Sequence, residues 1–321
     1  MTSWRKIQRE NLRHWESLFQ FLEIPSSLVT EIIPNPKFPL NIPLRLAKKI
    51  QKNDLNDPIL KQFLPSKLES IEVQGFTSNP VKDDTFKIEK KLLQKYQGRA
   101  LLVCTSACAM NCRFCFRKDF DYETDEKIFA NEIAAIREDD TLSEIILSGG
   151  DPLSLSNQDL KNLIQNLSGI PHVKRLRFHT RFPIGIPERI DEAFLEILQN
   201  TSLQVFFVIH TNISSELDDE VLIALRKIQK LGIPVLSQTV LLQGINDHEE
   251  TLQALFQRMI DNGIIPYYLH QLDRAKGTAH FEVSDERGKE LIRYLQRKLP
   301  GYGVPRYAKE IAGEPCKQVL A

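Results

Sequence analysis

From about residue 99 onward, short apolar runs recur along the chain, at 100–104, 144–147, 175–178, 204–209, 235–241 and 264–269. Between them lie stretches whose apolar residues return every three to four positions, at 127–137, 160–167, 187–198, 218–231 and 249–261. The runs predict strands and the periodic stretches predict amphipathic helices. Pro187 followed by Glu188 suits a first helical turn, and Gly232 suits a helix end. Strands alternating with helices pair in parallel through crossover connections. Six such units are too few for a closed eight-unit barrel, so the expected fold is α/β, an open partial (β/α)6 barrel. In parallel α/β folds the chemistry sits at the C-terminal strand ends. A cysteine-bearing loop and the segments 149–151, 179–181 and 210–212 fall there.

The first ninety or so residues have a different texture. Candidate helices at 4–21, 44–51 and 58–63 are separated by Pro-rich stretches such as 33–43, and no nucleotide-binding or nucleophile motif appears. The expected organisation is an N-terminal helical region over 1–94, the partial barrel over 95–283, and a C-terminal helix and tail over 284–321.

Composition narrows the partners. Lys+Arg and Asp+Glu both number 42 in the 321 residues, which argues against a dedicated nucleic-acid binder. The charged N-terminus has no apolar core of signal-peptide length, and no apolar run is long enough to cross a bilayer. The expectation is a cytoplasmic protein with no membrane partner.

Four of the five cysteines fall between Cys104 and Cys115. Tight clusters of this kind bind metal or do redox chemistry more often than they form disulfides. Cys108, Cys112 and Cys115, spaced three then two, can hold a [4Fe–4S] cluster and leave one iron without a protein ligand. An open iron can chelate the amino and carboxylate groups of a methionine moiety, and one electron can then cleave its sulfonium bond. The alternative is a structural zinc site in a non-catalytic protein, although no second Cys-x-x-Cys knuckle is present to complete it. Cys104 belongs to an apolar run and reads as a small core residue.

The Cys-x-x-x-Cys-x-aromatic-Cys loop, with Phe114 before the last cysteine, resembles the radical S-adenosylmethionine superfamily. Ser148-Gly149-Gly150-Asp151-Pro152 resembles its glycine-rich segment, which receives the methionine amino group of S-adenosylmethionine. Further stretches resemble the lysine 2,3-aminomutases: Cys115-Phe116-Arg117-Lys118, the segment from Arg177 to Pro183, the segment from Ser237 to Leu242, and Gly313-Glu314-Pro315-Cys316-Lys317. That resemblance runs from about Tyr96 to Lys317.

It implies a second cofactor, pyridoxal 5′-phosphate, held by Lys317, and a reaction that moves the α-amino group of L-lysine to the β-carbon. An amino group does not migrate readily between saturated carbons; bound to a conjugated aldehyde, its nitrogen can bridge both. Lys95, Tyr96 and Arg99 match the family's phosphate-binding stretch, though a lysine at position 95 departs from it. Arg117 matches the arginine that binds the substrate carboxylate, a role suited to a two-pronged guanidinium. Asp273 matches one of two acids that grip the distal ammonium; the second is an aspartate in the longer enzymes and Glu310 here. His210, Asn212 and Gln238 match strand ends lining the adenosyl site. The longer enzymes continue into a zinc-binding extension after the cofactor lysine. The short tail and Glu310 instead resemble the bacterial form that makes (R)-β-lysine for elongation factor P. The partners then implied are L-lysine, a reductase or flavodoxin-type electron donor, and the β-lysine ligase of that pathway. A radical aminomutase for another amino acid is the nearest alternative.

Overall fold

The computed structural model describes residues 3–122 and 128–321. Its strands form one sheet in chain order: β1 (Lys87–Glu89), β2 (Leu92–Tyr96), β3 (Arg99–Val103), β4 (Glu144–Ser148), β5 (Arg175–Thr180), β6 (Gln204–His210), β7 (Val235–Val240), β8 (Ile265–His270), β9 (Arg306–Lys309) and β10 (Gln318–Val319). Each neighbouring pair from β3 to β9 runs parallel, with helices in most of the crossovers. β1 and β2 extend one edge antiparallel, β10 extends the other, and no ladder joins the edges among the described residues. The barrel is open, as the count of apolar runs implied.

The six expected strands are β3 to β8. A seventh parallel strand, β9, follows the helix Asp285–Lys298. Its sequence, RYAK, has no apolar run for periodicity to detect. Lys95 and Tyr96 lie on β2, and Gly98 (φ +77°) makes the turn into β3. The expected helix 4–21 is two, Trp4–Arg9 and Trp15–Leu22, interrupted where Leu12 pairs with Ile42. The stretch 187–198 divides because Asp191 accepts from the Phe194 amide and starts a new helix, Glu192–Gln199. The stretch 127–137 begins at Lys127, outside the described residues, and its helix is Ala130–Glu138.

Strand alternation decides which residues reach the interior. On β5, Leu176 and Phe178 point outward into the helical layer, where Phe178 packs on Phe194 and Phe207 with centroids 5.9 and 5.8 Å apart. Burying such a ring contributes about 2–3 kcal/mol. Arg177 and His179 take the opposite face and line the barrel interior. The N-terminal region shares the same hydrophobic core: Leu60 and Phe63 have no exposed surface, and Trp4 meets Phe182 edge-on at 5.4 Å.

Candidate active site

The cysteine loop leaves the C-terminal end of β3 and lies against the glycine segment that follows β4. The Gly150 amide donates to Thr105 O at 2.6 Å and the Asp151 amide to Ala107 O at 2.8 Å. A Cβ on Gly150 would stand 2.5 Å from Ala107 O, and one on Gly149 (φ +119°) 2.7 Å from Thr105 O. Both glycines are therefore required by the closeness of two backbones. Gly150→Ala is expected to push the loop away, lowering stability by about 1–3 kcal/mol. Iron bound per chain after anaerobic reconstitution should fall with it.

Asp151 is more deeply engaged. Its carboxylate accepts from Thr180 Oγ1 at 2.7 and 2.9 Å, and from the amides of Arg181, Phe182 and Leu153 at 2.8, 3.0 and 3.0 Å. Burial pushes this carboxyl up to about 6, with those hydrogen bonds pulling it back. Asp151 thus fixes the end of β5 against the cysteine loop.

Cys108, Cys112 and Cys115 are partly exposed as residues, and burial of their thiols, with smaller help from neighbouring acids and from one another, pushes the thiols up. A bound cluster would take these three as thiolates, so their protons would be lost on loading. No group of three or more His, Cys, Asp or Glu among the described residues is arranged to hold a single metal ion. A cubane, which takes one cysteine per iron, suits three thiols spread along one loop. Cys104 is buried in the core as expected from its apolar run.

A second group of charges forms a continuous chain across the interior. Arg117 donates through Nε to Asp83 Oδ2 at 2.8 Å and through Nη1 to Ser148 Oγ at 3.2 Å. Asp83 Oδ1 also pairs with Lys95 Nζ at 2.8 Å, and that ammonium lies 3.9 Å from Glu310 Oε1. Glu310 accepts from Tyr96 Oη at 2.7 Å and from Lys317 Nζ. Arg99 stacks 4.7 Å over the Tyr96 ring.

The C-terminal strands bring this about. Glu310 follows β9, and the antiparallel pairing of β10 with β9 folds Lys317 back onto it. The tail is tied down further by Tyr307 N to Ala321 O and Leu320 N to Tyr307 O, both 2.8 Å. Burial pushes the Glu310 carboxyl up, but Lys317, Tyr96 and Lys95 outweigh it and hold it below its ordinary value. Asp273, just past β8, is pushed up to about 6 by burial, with Lys317 and Lys95 pulling down and Glu310 and Asp83 pushing up.

Three histidines at strand ends complete the interior. His210 Nε2 lies 2.9 Å from Gln238 Oε1, and burial lowers this imidazole to about 4. Burial also holds His179 and His270 well below their ordinary value, with Lys317 contributing to both. His179 Nε2 and Arg177 Nε are buried with no hydrogen-bond partner. The Arg177 guanidinium pairs with Glu144 through Nη2, and its Nε is left as a spare buried donor near His179.

Asn212 is occupied within the protein: Nδ2 donates to Gln62 Oε1 at 2.9 Å, its amide to Glu216 Oε2 at 2.7 Å, and its Oδ1 accepts from Val240 N at 3.0 Å. The residues that sequence reasoning left out are Asp83, Arg177, His179, His270, Gln62 and Glu216. The signal for His179 and His270 was their position at the ends of apolar runs. Asp83, in an irregular polar stretch, offered none.

A family model for the radical SAM superfamily matches residues 102–255. The Streptococcus suis SuiB structure bound to S-adenosylmethionine superposes with a TM-score of 0.51 at 13% identity, over 68% of this chain and 52% of that one. The likeness shows the fold, and the family match marks residues 102–255 as a radical SAM domain, which implies a [4Fe–4S] cluster and S-adenosylmethionine.

The L-lysine 2,3-aminomutase of Escherichia coli is 39% identical over 286 residues, 88% of this chain and 83% of the relative. That of Haemophilus influenzae is 36% identical over 323 residues, 99% and 96% of the two chains. The chain belongs to the lysine 2,3-aminomutase family and is an isomerase. No described helix is long and apolar enough to cross a membrane.

Proposed function

We propose that the protein converts L-lysine to (R)-β-lysine, with pyridoxal 5′-phosphate carried on Lys317, and that the product serves the modification of elongation factor P. The observation that carries the substrate reading is the position of the Lys317 ammonium, bonded to Glu310 and drawn toward Asp273. Here a lysine side chain stands in for a lysine substrate. With Lys317 committed to the cofactor, the two acids are left for the distal ammonium of the substrate.

Pyridoxal phosphate supplies the conjugated aldehyde that lets nitrogen pass between carbons, and S-adenosylmethionine on the cluster supplies the radical. The rest belongs to the chain. Arg117 binds the substrate carboxylate, and Asp83 and Ser148 fix its orientation. Asp273 and Glu310 hold the far end, so that the β-carbon is presented at one place in the interior. Arg177, Arg99, Tyr96 and Lys95 face the phosphate. Ser148, Gly149, Gly150 and Asp151, with His210, Asn212 and Gln238, shape the side toward S-adenosylmethionine, Asp151 and Asn212 acting through the backbone they hold. The neutral histidines add no positive charge to compete for the acids. The electron comes from a flavodoxin-type donor. The resemblance of Glu310 and the Gly313–Lys317 stretch to the short bacterial form supports the pathway reading.

Norleucine, which lacks only the distal ammonium, leaves Asp273 and Glu310 without that partner and is expected to bind roughly a hundredfold more weakly than lysine. For lysine itself, kcat/KM should fall as the pH drops through about 6, because Asp273 takes up a proton there. The substrate's ammonium stays charged throughout that range. Equal binding of norleucine and lysine would point to another amino acid as substrate.

A further inference from the structure

We propose that Arg181 is a positioning residue for the iron–sulfur cluster, raising its reduction potential through Cys112 against the opposing charge of Glu216. The proposal rests on the cluster reading above and goes beyond it.

The geometry is that of a built clamp. Arg181 follows β5 directly, where Asp151 holds its backbone amide at 2.8 Å. Its guanidinium carbon lies 5.3 Å from the ring centroids of both Phe63 and Phe114, so two aromatic faces confine the group. Nη1 donates to Cys112 Sγ at 2.8 Å, and Nη2 donates to Gln62 Oε1 and Glu216 Oε1, each at 2.6 Å. Glu216 has no exposed surface. Its Oε1 also accepts from Gln62 Nε2 at 3.0 Å, and its Oε2 from Thr211 Oγ1 at 2.8 Å and Asn212 N at 2.7 Å. Asp151, in the segment after β4, is the other carboxylate felt at Cys112.

A hydrogen bond and a positive charge on a cluster sulfur favour the reduced, more negative state, and so raise the potential. A buried carboxylate on the same guanidinium works the other way. Burial leaves both effects little screened. The arrangement also assigns a task to the N-terminal region, which supplies Gln62 and Phe63 to the clamp.

The test is an EPR-monitored potentiometric titration of the full chain, reconstituted without oxygen and assayed for iron and sulfide. Each cluster takes up one electron from dithionite, which is oxidised to sulfite. Arg181→Gln is expected to lower the midpoint, so that the ratio of reduced to oxidised cluster at a fixed poise falls about tenfold, ~59 mV for one electron. Glu216→Gln is expected to shift it in the opposite direction, and Arg181→Lys, which keeps the charge, to fall between wild type and Arg181→Gln. Loss of packing alone does not produce opposite signs. If Arg181→Gln fails to load, Arg181→Lys and Glu216→Gln still decide, by lowering and raising the midpoint. Unchanged midpoints, or shifts of the same sign, at wild-type iron and sulfide content would overturn the proposal. A wild-type chain that takes up no iron and sulfide would overturn the cluster reading beneath it.

Discussion

Lys317→Ala should carry no pyridoxyl group that borohydride can fix, and its lysine turnover should fall by on the order of a thousandfold or more. Lys317 is the nitrogen that the C-terminal strands deliver to the barrel interior, on Glu310 and beside Asp273. Lys95 is the other lysine near these acids, 3.9 Å from Glu310, but it is committed to Asp83 and Val81 O. The cysteine loop is held by the glycine segment, by Arg181 and by the N-terminal region, through hydrogen bonds that do not involve Lys317. The variant is therefore expected to keep its iron–sulfur absorption while losing the adduct in peptide mass spectrometry. An adduct on a different lysine, with turnover retained, would move the cofactor elsewhere.

Asp83→Asn carries the second large effect. The aspartate is 2% exposed and lies between two cations, Arg117 and Lys95. Burial pushes its carboxyl up, yet Arg117 and Lys95 together hold it below the ordinary value. The pair's contribution is therefore intact at neutral pH and is lost only as the pH falls from about 4 through the lower native value. An amide of the same shape leaves the buried Arg117 and the partly buried Lys95 without the carboxylate between them, at a cost of about 3–5 kcal/mol. Urea unfolding should show that loss. The KM for lysine should rise as well, because Arg117 is no longer held in line for the carboxylate. Asp83→Glu, which keeps the charge, should recover part of both. A KM unchanged in Asp83→Asn would separate Arg117 from its substrate role.

The reach of the sequence divides along physical lines. Buried parallel strands carry long apolar runs, so β3 to β8 and their helices were visible, and so was the open barrel. β2, β9 and β10 were not, because short strands that mix polar and apolar residues leave no period to detect. That gap matters, since β2 and the β9–β10 pair position Tyr96, Glu310 and Lys317. The three cysteines were legible from spacing, and Lys317, Arg117, Asp273 and Glu310 from resemblance to a family. Asp83, Gln62 and Glu216 were hidden because each acts through a partner far away in the chain. Glu216 meets Gln62 across 154 positions, and Asp83 meets Arg117 across 34. Nothing local distinguishes such a residue from a solvated charge.

One feature of the site ties these parts together. The segment after β4 and the end of β5 hold the cysteine loop, while the chain Arg117–Asp83–Lys95–Glu310–Lys317 spans the neighbouring interior. Ser148 belongs to both, since it ends β4 and accepts from Arg117. On the proposed reading, a radical generated at the loop would form beside the place where both ends of a lysine are held. The most direct measurement is to incubate the anaerobically reconstituted protein with S-adenosylmethionine, pyridoxal phosphate, dithionite and L-lysine, and to resolve the products by chiral chromatography. The account expects (R)-β-lysine, dependent on every component. A fully loaded protein that forms no β-lysine from L-lysine would contradict it.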